Sequence, residues 1–331
     1  MKTFALFLLL IPSVVWAAEP GSYPPGFFVQ SRQKTSPEPL FYNLDTHRLQ
    51  SFPLKASYAQ FIDFFWDRER GRVFFSARQA PRDPFRVYVK AWPGGDEKPV
   101  YENPLGPFRF LLSPDGKRLA LQVMGPAAWP ILAVHEWETQ ATTLLGQGYS
   151  PDWSLDGQRL LFLSIPGALP SWLDEYSVQT DTSTQILSEP VMEAAYTDDA
   201  DQIILKTASQ SKKCDVFQLW NRRKNRFYPF VPPTTGSKTC VFQRQLGAFP
   251  GHQFFYFKES KEITRLEEQN LIVVDVWGGR LQELPRADWE PSVNAVDPTT
   301  LVVGQDPLYV LRADGTGGRL VIPGVEMIRP R

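Results

Sequence analysis

Short apolar runs recur along the chain, each just after a polar turn: Phe27 to Val29, Val73 to Phe75, Leu119 to Leu121, Leu160 to Phe162, Ile203 to Leu205, Phe254 to Phe257 and Leu301 to Val303. Successive starts lie 41 to 51 residues apart. Runs this short, bounded by turn residues and lacking strict alternation, predict strands covered on both faces. A second feature alternates with the first, two apolar segments joined by a polar turn, as in LFYNLDTHRLQSF from Leu40, ILAVHEWETQATTLL from Ile131 and LYVLRADGTGGRLVI from Leu308. Each feature has seven copies. A third, a leading strand ahead of each turn, has six: FIDFFW at Phe61, FRFLLS at Phe108, PDWS at Pro151, EAAYT at Glu193, VFQRQL at Val241 and PSVNAV at Pro291. The first repeat has none, and VEMIRP, Val325 to Pro330, is a strand-like segment to spare.

A period of this length with four strands per repeat is the mark of propeller blades. The pattern therefore predicts an all-β chain, a seven-bladed β-propeller of four-stranded antiparallel blades, in which the C-terminal strand pairs into the first blade and leaves no open edge. Six blades remain the alternative, with Phe27 to Phe52 as an N-terminal extension. Asp-Gly at 115–116 and 156–157 supplies the positive φ that a tight hairpin turn demands.

The N-terminus stands outside this period. Lys2, the apolar run Phe4 to Val15 and the small residues Ala17 and Ala18 predict a secretory signal over residues 1–17, followed by one propeller domain over 18–331. The expected location is the periplasm, as an exported, soluble chain. Without Lys2, the 35 Lys and Arg become 34 against 36 Asp and Glu, a balance with no field to draw nucleic acid or anionic lipid. Two cysteines, Cys214 and Cys240, in an exported chain predict one disulfide between the fifth and sixth blades.

The stretches WSLDGQRLLFLS from Trp153 and LSPDGKRLALQV from Leu112 resemble the TolB-like β-propellers, whose blades carry a W-S-P-D-G turn before an apolar strand. Other repeats keep the period with altered turns, such as TDDADQIILK at Thr197 and FPGHQFFYF at Phe249. That family's separate N-terminal α/β domain has no counterpart between Ala18 and Phe27. The resemblance implies a non-enzymatic propeller that binds a cell-envelope protein through its loop face and channel mouth, monomeric on its own.

Two sets of residues are candidates for function. In a four-stranded blade, the loops after the second and fourth strands share one face of the disc, and the two tight hairpins share the other. The long second-to-third-strand loops bring Arg78, Arg82, Trp129, Trp172, Lys212 and Lys213 to one rim. Arginine and aromatic residues on loops held by a rigid scaffold are the usual makings of a binding patch. The second set, Asp63, Arg109, Asp152, Glu193 and Arg244, falls on leading strands that face the channel. Channel carboxylates and arginines of this kind support an alternative function, a carbohydrate-active propeller that binds a sugar acid or cleaves a glycan. His47, His135 and His252 have no metal-ligand spacing, and G-x-S-x-G is absent. Aspartates 198, 199 and 201 lack the acidic residue that completes a calcium loop and are read as a solvated turn. No cofactor is expected, beyond room for a structural cation in the channel.

Overall fold

The polar turns between apolar runs are built from the chain's own side chains. In Ser113–Arg118 the backbone N–H of Ser113 donates to Arg118 O at 2.8 Å, and the Ser113 hydroxyl donates to the Asp115 carboxylate while accepting the Arg118 N–H. Gly116 takes the left-handed conformation there, with φ 68°. Ser154, Asp156, Gly157 and Arg159 repeat this arrangement bond for bond. The turns without Asp-Gly keep its backbone half: Thr197 N–H donates to Gln202 O at 3.0 Å, and Phe249 N–H to Phe254 O at 2.9 Å. The aspartates at 198, 199 and 201 fall in such a turn, where Asp199 accepts the Asp201 N–H and Asp201 pairs with Arg223.

These turns organise 27 strands in a computed structural model, which describes residues 23–31, 39–103, 106, 108–124, 129–165, 171–208, 215–230, 242–260, 270–277, 279–285, 293–304, 307–316, 320–323 and 325–327. The expected signal segment and both cysteines lie outside those residues, as does most of the charged run after Lys258. The first strands are β1 (Gly26–Ser31), β2 (Pro39–Asn43) and β3 (Arg48–Ser51). The second sheet holds β4 (Gln60–Asp67), β5 (Arg72–Arg78), β6 (Phe85–Ala91) and β7 (Lys98–Asn103), in that order. Then come β8 (Phe108–Leu112), β9 (Arg118–Met124), β10 (Pro130–Glu136), β11 (Ala141–Trp153), β12 (Arg159–Ser164), β13 (Trp172–Ser177) and β14 (Thr182–Leu187). Two further sheets follow: β15 (Val191–Tyr196), β16 (Gln202–Ala208), β17 (Asp215–Asn221) and β18 (Arg226–Pro229), then β19 (Phe242–Ala248), β20 (Phe254–Ser260), β21 (Asn270–Asp275) and β22 (Arg280–Pro285). The last strands are β23 (Val293–Ala295), β24 (Thr300–Val303), β25 (Leu308–Arg312), β26 (Leu320–Ile322) and β27 (Val325–Met327). Among the described residues the sole helix is a single 3-10 turn, Arg68–Arg70, and none is long and apolar enough to cross a membrane.

The C-terminal strand behaves as the repeat predicts. β27 pairs antiparallel with β1, Val29 opposite Met327 and Ser31 opposite Val325, giving a four-stranded sheet in the order β27-β1-β2-β3. One departure concerns β11. Strands β8 to β14 form a continuous seven-stranded sheet, because β11 runs 13 residues, pairs with β10 up to Gln147 and with β12 from Gly148 onward, and is bulged within the second pairing between Tyr149 and Asp152. Gly146, at φ 105°, and Ser150, at φ 53°, absorb the bend, so the chain passes from one repeat to the next without a loop.

Successive sheets are joined by apolar clusters. Phe28, Phe41 and Phe52 of the first sheet pack on Phe64 and Phe75 of the second. Further clusters follow around the fold, and the last, where Phe27, Val29 and Tyr42 meet Val302, Leu308, Val310 and Ile322, returns to the first sheet. Six such clusters join successive sheets among the described residues, and a seventh packs the two halves of the seven-stranded sheet on each other. Indole N–H groups fasten leading strands to the preceding repeat: Trp66 donates to Pro24 O at 3.1 Å and Trp153 to Leu111 O at 3.2 Å. That is the role of the tryptophan in the W-S-x-D-G phrase.

His135 shows how a buried polar side chain is accommodated between two of these sheets. Its Nε2 lies 2.8 Å from Val100 O, which can only accept, so the proton sits on Nε2, and Nδ1 takes the Thr142 hydroxyl at 2.8 Å. Burial lowers the pKa of His135, against the pull of backbone hydrogen bonds at Val100 and Ala141. A depressed histidine contributes stability that is full above its unfolded value of about 6.5 and is lost as pH falls from there through the lower folded value. The expected result is that His135→Gln flattens the fall in urea midpoint between pH 7 and pH 5. Parallel wild-type and variant curves would refute it.

Candidate functional site

The leading strands carry the channel candidates, and the structure uses several of them as ties between sheets. Asp152, at the bulge of β11, accepts the Tyr196 N–H of the next leading strand at 2.7 Å. Glu193 on β15 does the same for Leu246 N–H of β19 and lies 3.4 Å from the Lys206 ammonium. A carboxylate of one sheet thus caps a backbone donor of the next leading strand, in β19 at a bulge between Arg244 and Gly247. Asp63 is buried beside a bulge in β4, where its N–H donates to the Ser76 hydroxyl at 3.2 Å. Arg109 is half-buried on β8. Arg244 falls on β19, and its side chain is outside the described residues.

Asp152 has a second partner that the repeat pattern does not reveal. His252, in the turn after β19, brings Nε2 to 3.7 Å from Asp152 Oδ1, and its buried Nδ1 has no hydrogen-bond partner among the described residues. Burial raises the pKa of Asp152, while His252 and the Tyr196 N–H draw it down. Neighbouring sheets share a second polar cluster. The Tyr196 hydroxyl donates to Glu175 at 2.7 Å, and Arg222 grips both oxygens of the same carboxylate, at 2.5 and 3.2 Å. Burial first, then the Glu175 charge, drives the Tyr196 pKa upward, so it stays a donor. No three His, Cys, Asp or Glu side chains among the described residues converge as a metal site.

The loop candidates form a different kind of surface. Trp129, just ahead of β10, is 41% exposed, and Trp172, the first residue of β13, is 36% exposed. Met124 at the end of β9 and Met192 near the start of β15 are 51% and 42% exposed. All four stand where second strands end or where third or leading strands begin, so the strand order puts them on one face. Arg78 and Arg82 line a cleft of about 290 Å³ on that face, beside Pro81, Pro84, Phe85 and Gly106. Lys212 and Lys213 fall outside the described residues. The opposite, hairpin face has a cavity of about 570 Å³ between the Asp156 turn and the Asp198–Ala200 turn, closed by Arg223.

No protein-family model matches the chain, and none of the curated proteins matches it in sequence. Solved structures do match it in shape. The β-propeller domain of the Trilobed protease from Pyrococcus furiosus aligns at a TM-score of 0.59 and 10% identity, over 90% of this chain and 98% of that one. The fold is a β-propeller. Oligogalacturonate lyase in complex with manganese aligns at 0.59 and 14% identity, over 92% of this chain and 86% of that one. TolB from Acinetobacter baumannii aligns at 0.52 and 14% identity, over 91% and 80%. The Trilobed propeller is described as having an open velcro topology, whereas here β27 seals the propeller against β1. In propeller terms, Asp152, Glu193 and His252 belong to the inner strands and their turns, and the two tryptophans to the outer part of the loop face.

The residues that sequence reasoning missed, His252, Glu175 and Arg222, are each polar and far along the chain from their partners. Periodicity places a residue on a strand and a face, but it does not pair a carboxylate with a group a hundred residues away.

Proposed function

We propose that this chain is an exported, non-enzymatic, TolB-like propeller that docks a cell-envelope protein on its loop face. Counting the seven-stranded sheet as two blades that share β11 supports a reading of seven blades, as do seven apolar clusters between successive repeats. The observation that carries the docking reading is the grouping of Met124, Trp129, Trp172 and Met192 on one face. Single exposed apolar residues are ordinary on any surface. Two tryptophans and two methionines on one face, which also carries Arg78 and Arg82, have the composition of an interface core. Aromatic anchors of this kind bury much area for few rotatable bonds. The channel carboxylates are engaged with backbone donors and a lysine, which favours a structural role for them.

A photoreactive residue in place of Trp172 in intact cells is expected to capture one envelope protein. Trp129→Ala with Arg82→Ala in the same chain should cut that capture by about tenfold, a loss of roughly 1.4 kcal/mol, without lowering the melting temperature. A photoreactive residue at Phe227, at the start of the fourth strand β18, supplies the control. Undiminished capture in the variant would defeat the docking reading. Recovery of no protein neighbour, with thermal stabilisation by an acidic oligosaccharide, would favour the carbohydrate-active alternative built on Asp152 and Arg109.

A further inference from the structure

The loop-face cleft of the second sheet has a chemistry that docking alone does not specify. Arg78 ends β5 with its guanidinium carbon 5.0 Å from the centre of the Phe85 ring and its Nη1 donating to Pro81 O at 2.6 Å. The stack and the carbonyl fix the plane of the guanidinium before any ligand arrives. Its Nε–H is buried and has no acceptor among the described residues. Arg82, four residues on, is exposed in the same cleft.

Asp83, whose carboxylate also lines the cleft, is tied to the loop backbone. Asp83 accepts the Ala80 N–H at 3.0 Å, while its own N–H donates to Ala80 O at 3.0 Å, so its carboxylate closes the loop on itself. Among the described residues neither Arg78 nor Arg82 forms an ion pair, in contrast to Arg72, Arg86, Arg118 and Arg222. The far wall is fixed too, since Asn103 Nδ2 donates to Gly106 O at 3.0 Å. The result is a cleft of about 290 Å³ walled by Pro81, Pro84 and Phe85, with the Asp83 carboxylate turned to its own loop and two guanidinium groups in no ion pair among the described residues, one of them pre-oriented.

The geometry points to a subsite for an acidic side chain of the docked protein, a Glu or Asp carboxylate held by Arg78 with Arg82 beside it. A carboxylate matches the planar fork of an arginine, and apolar walls suit the methylenes of glutamate. The inference rests on the reading that this face docks a protein, and it adds what the partner must present there.

The test needs no partner. The full chain, labelled with nitrogen-15 in arginine, is titrated with the capped tetrapeptide acetyl-Ala-Glu-Glu-Ala-amide. The Arg78 Nε–H resonance is expected to shift and saturate, with the glutamine version of the peptide at least about tenfold weaker. Arg78→Lys, which keeps the charge and loses the fork, should weaken the glutamate peptide by a similar factor at unchanged melting temperature. Trp129→Ala should leave peptide binding as it was, which separates this subsite from the apolar patch. Equal binding of the two peptides, equal binding by Arg78→Lys, or no shift at all would overturn the proposal. So would tighter binding of inorganic phosphate or of a glutamine peptide with a free C-terminus, because each assigns the cleft to a different oxyanion. Failure of capture at Trp172 with intact peptide binding would count against docking alone.

Discussion

A chain ending before Gly324 is expected to melt about 10 °C below the full-length protein and to self-associate. The loss is large because β27 supplies the inner strand of the first sheet, through the register Val29–Met327, Gln30–Glu326 and Ser31–Val325. Without it, one edge of β1 has unpaired N–H and C=O groups, a template for pairing with another chain. The cluster of Phe27, Val29 and Tyr42 against Val302, Leu308 and Val310 also loses the covalent continuation that holds its two sheets together. At roughly 2 °C for each kcal/mol in a chain of this size, a 10 °C fall corresponds to about 5 kcal/mol. Calorimetry with size-exclusion chromatography measures both effects. Adding the octapeptide Gly324–Arg331 in excess should recover part of the lost melting temperature by mass action. A truncated chain that melts within about 2 °C of the original would show that the seam contributes little.

The second large effect is expected from Gly26→Ala. A Cβ at Gly26 would stand 2.2 Å from Tyr42 O and 2.3 Å from the Phe41 ring. The carbonyl belongs to the partner strand β2, and Phe41 is fully buried against Phe28 and Trp92, so neither can yield cheaply. Overpacking of this kind costs about 3 kcal/mol, or roughly 6 °C here. Gly94→Ala is the control, because a Cβ there meets nothing within 4 Å. If the two alanine variants melt together, strand β1 does not approach β2 as closely as described.

Much of this architecture is written locally. The apolar runs at Leu119, Leu160 and Ile203 are second strands because each follows a turn closed by the same backbone hydrogen bond, with or without Asp-Gly, and the run at Val73 follows a 3-10 turn that ends on left-handed Gly71. The vacancy ahead of Phe27 and the spare strand at Val325 were legible for the same reason: a repeat with a missing member shows in the count. The merger of two repeats through β11 was not. The stretch Leu145 to Pro151 has two glycines and a proline, the composition of a loop, yet the chain stays extended and bends at Gly146 and Ser150. Turn propensity marks where a chain can bend, and tertiary pairing decides whether the strand ends there. The candidate site divided similarly. Loop tryptophans and Arg78 could be placed on one face from strand order alone, whereas Asp152 and Glu193, read as channel groups, proved to be acceptors for the next strand's backbone.

The aromatic seam between the first two sheets has an optical consequence. Trp66 and Trp92 lie 5.6 Å apart at 62°, and Trp92 stacks flat on Phe52 at 5.6 Å and 7°. Two indoles locked at a fixed skew couple their transition dipoles, and near-ultraviolet circular dichroism reads such fixed asymmetry only while the packing is rigid. The protein thus has an intrinsic, label-free chromophore at the joint between its opening and second sheets.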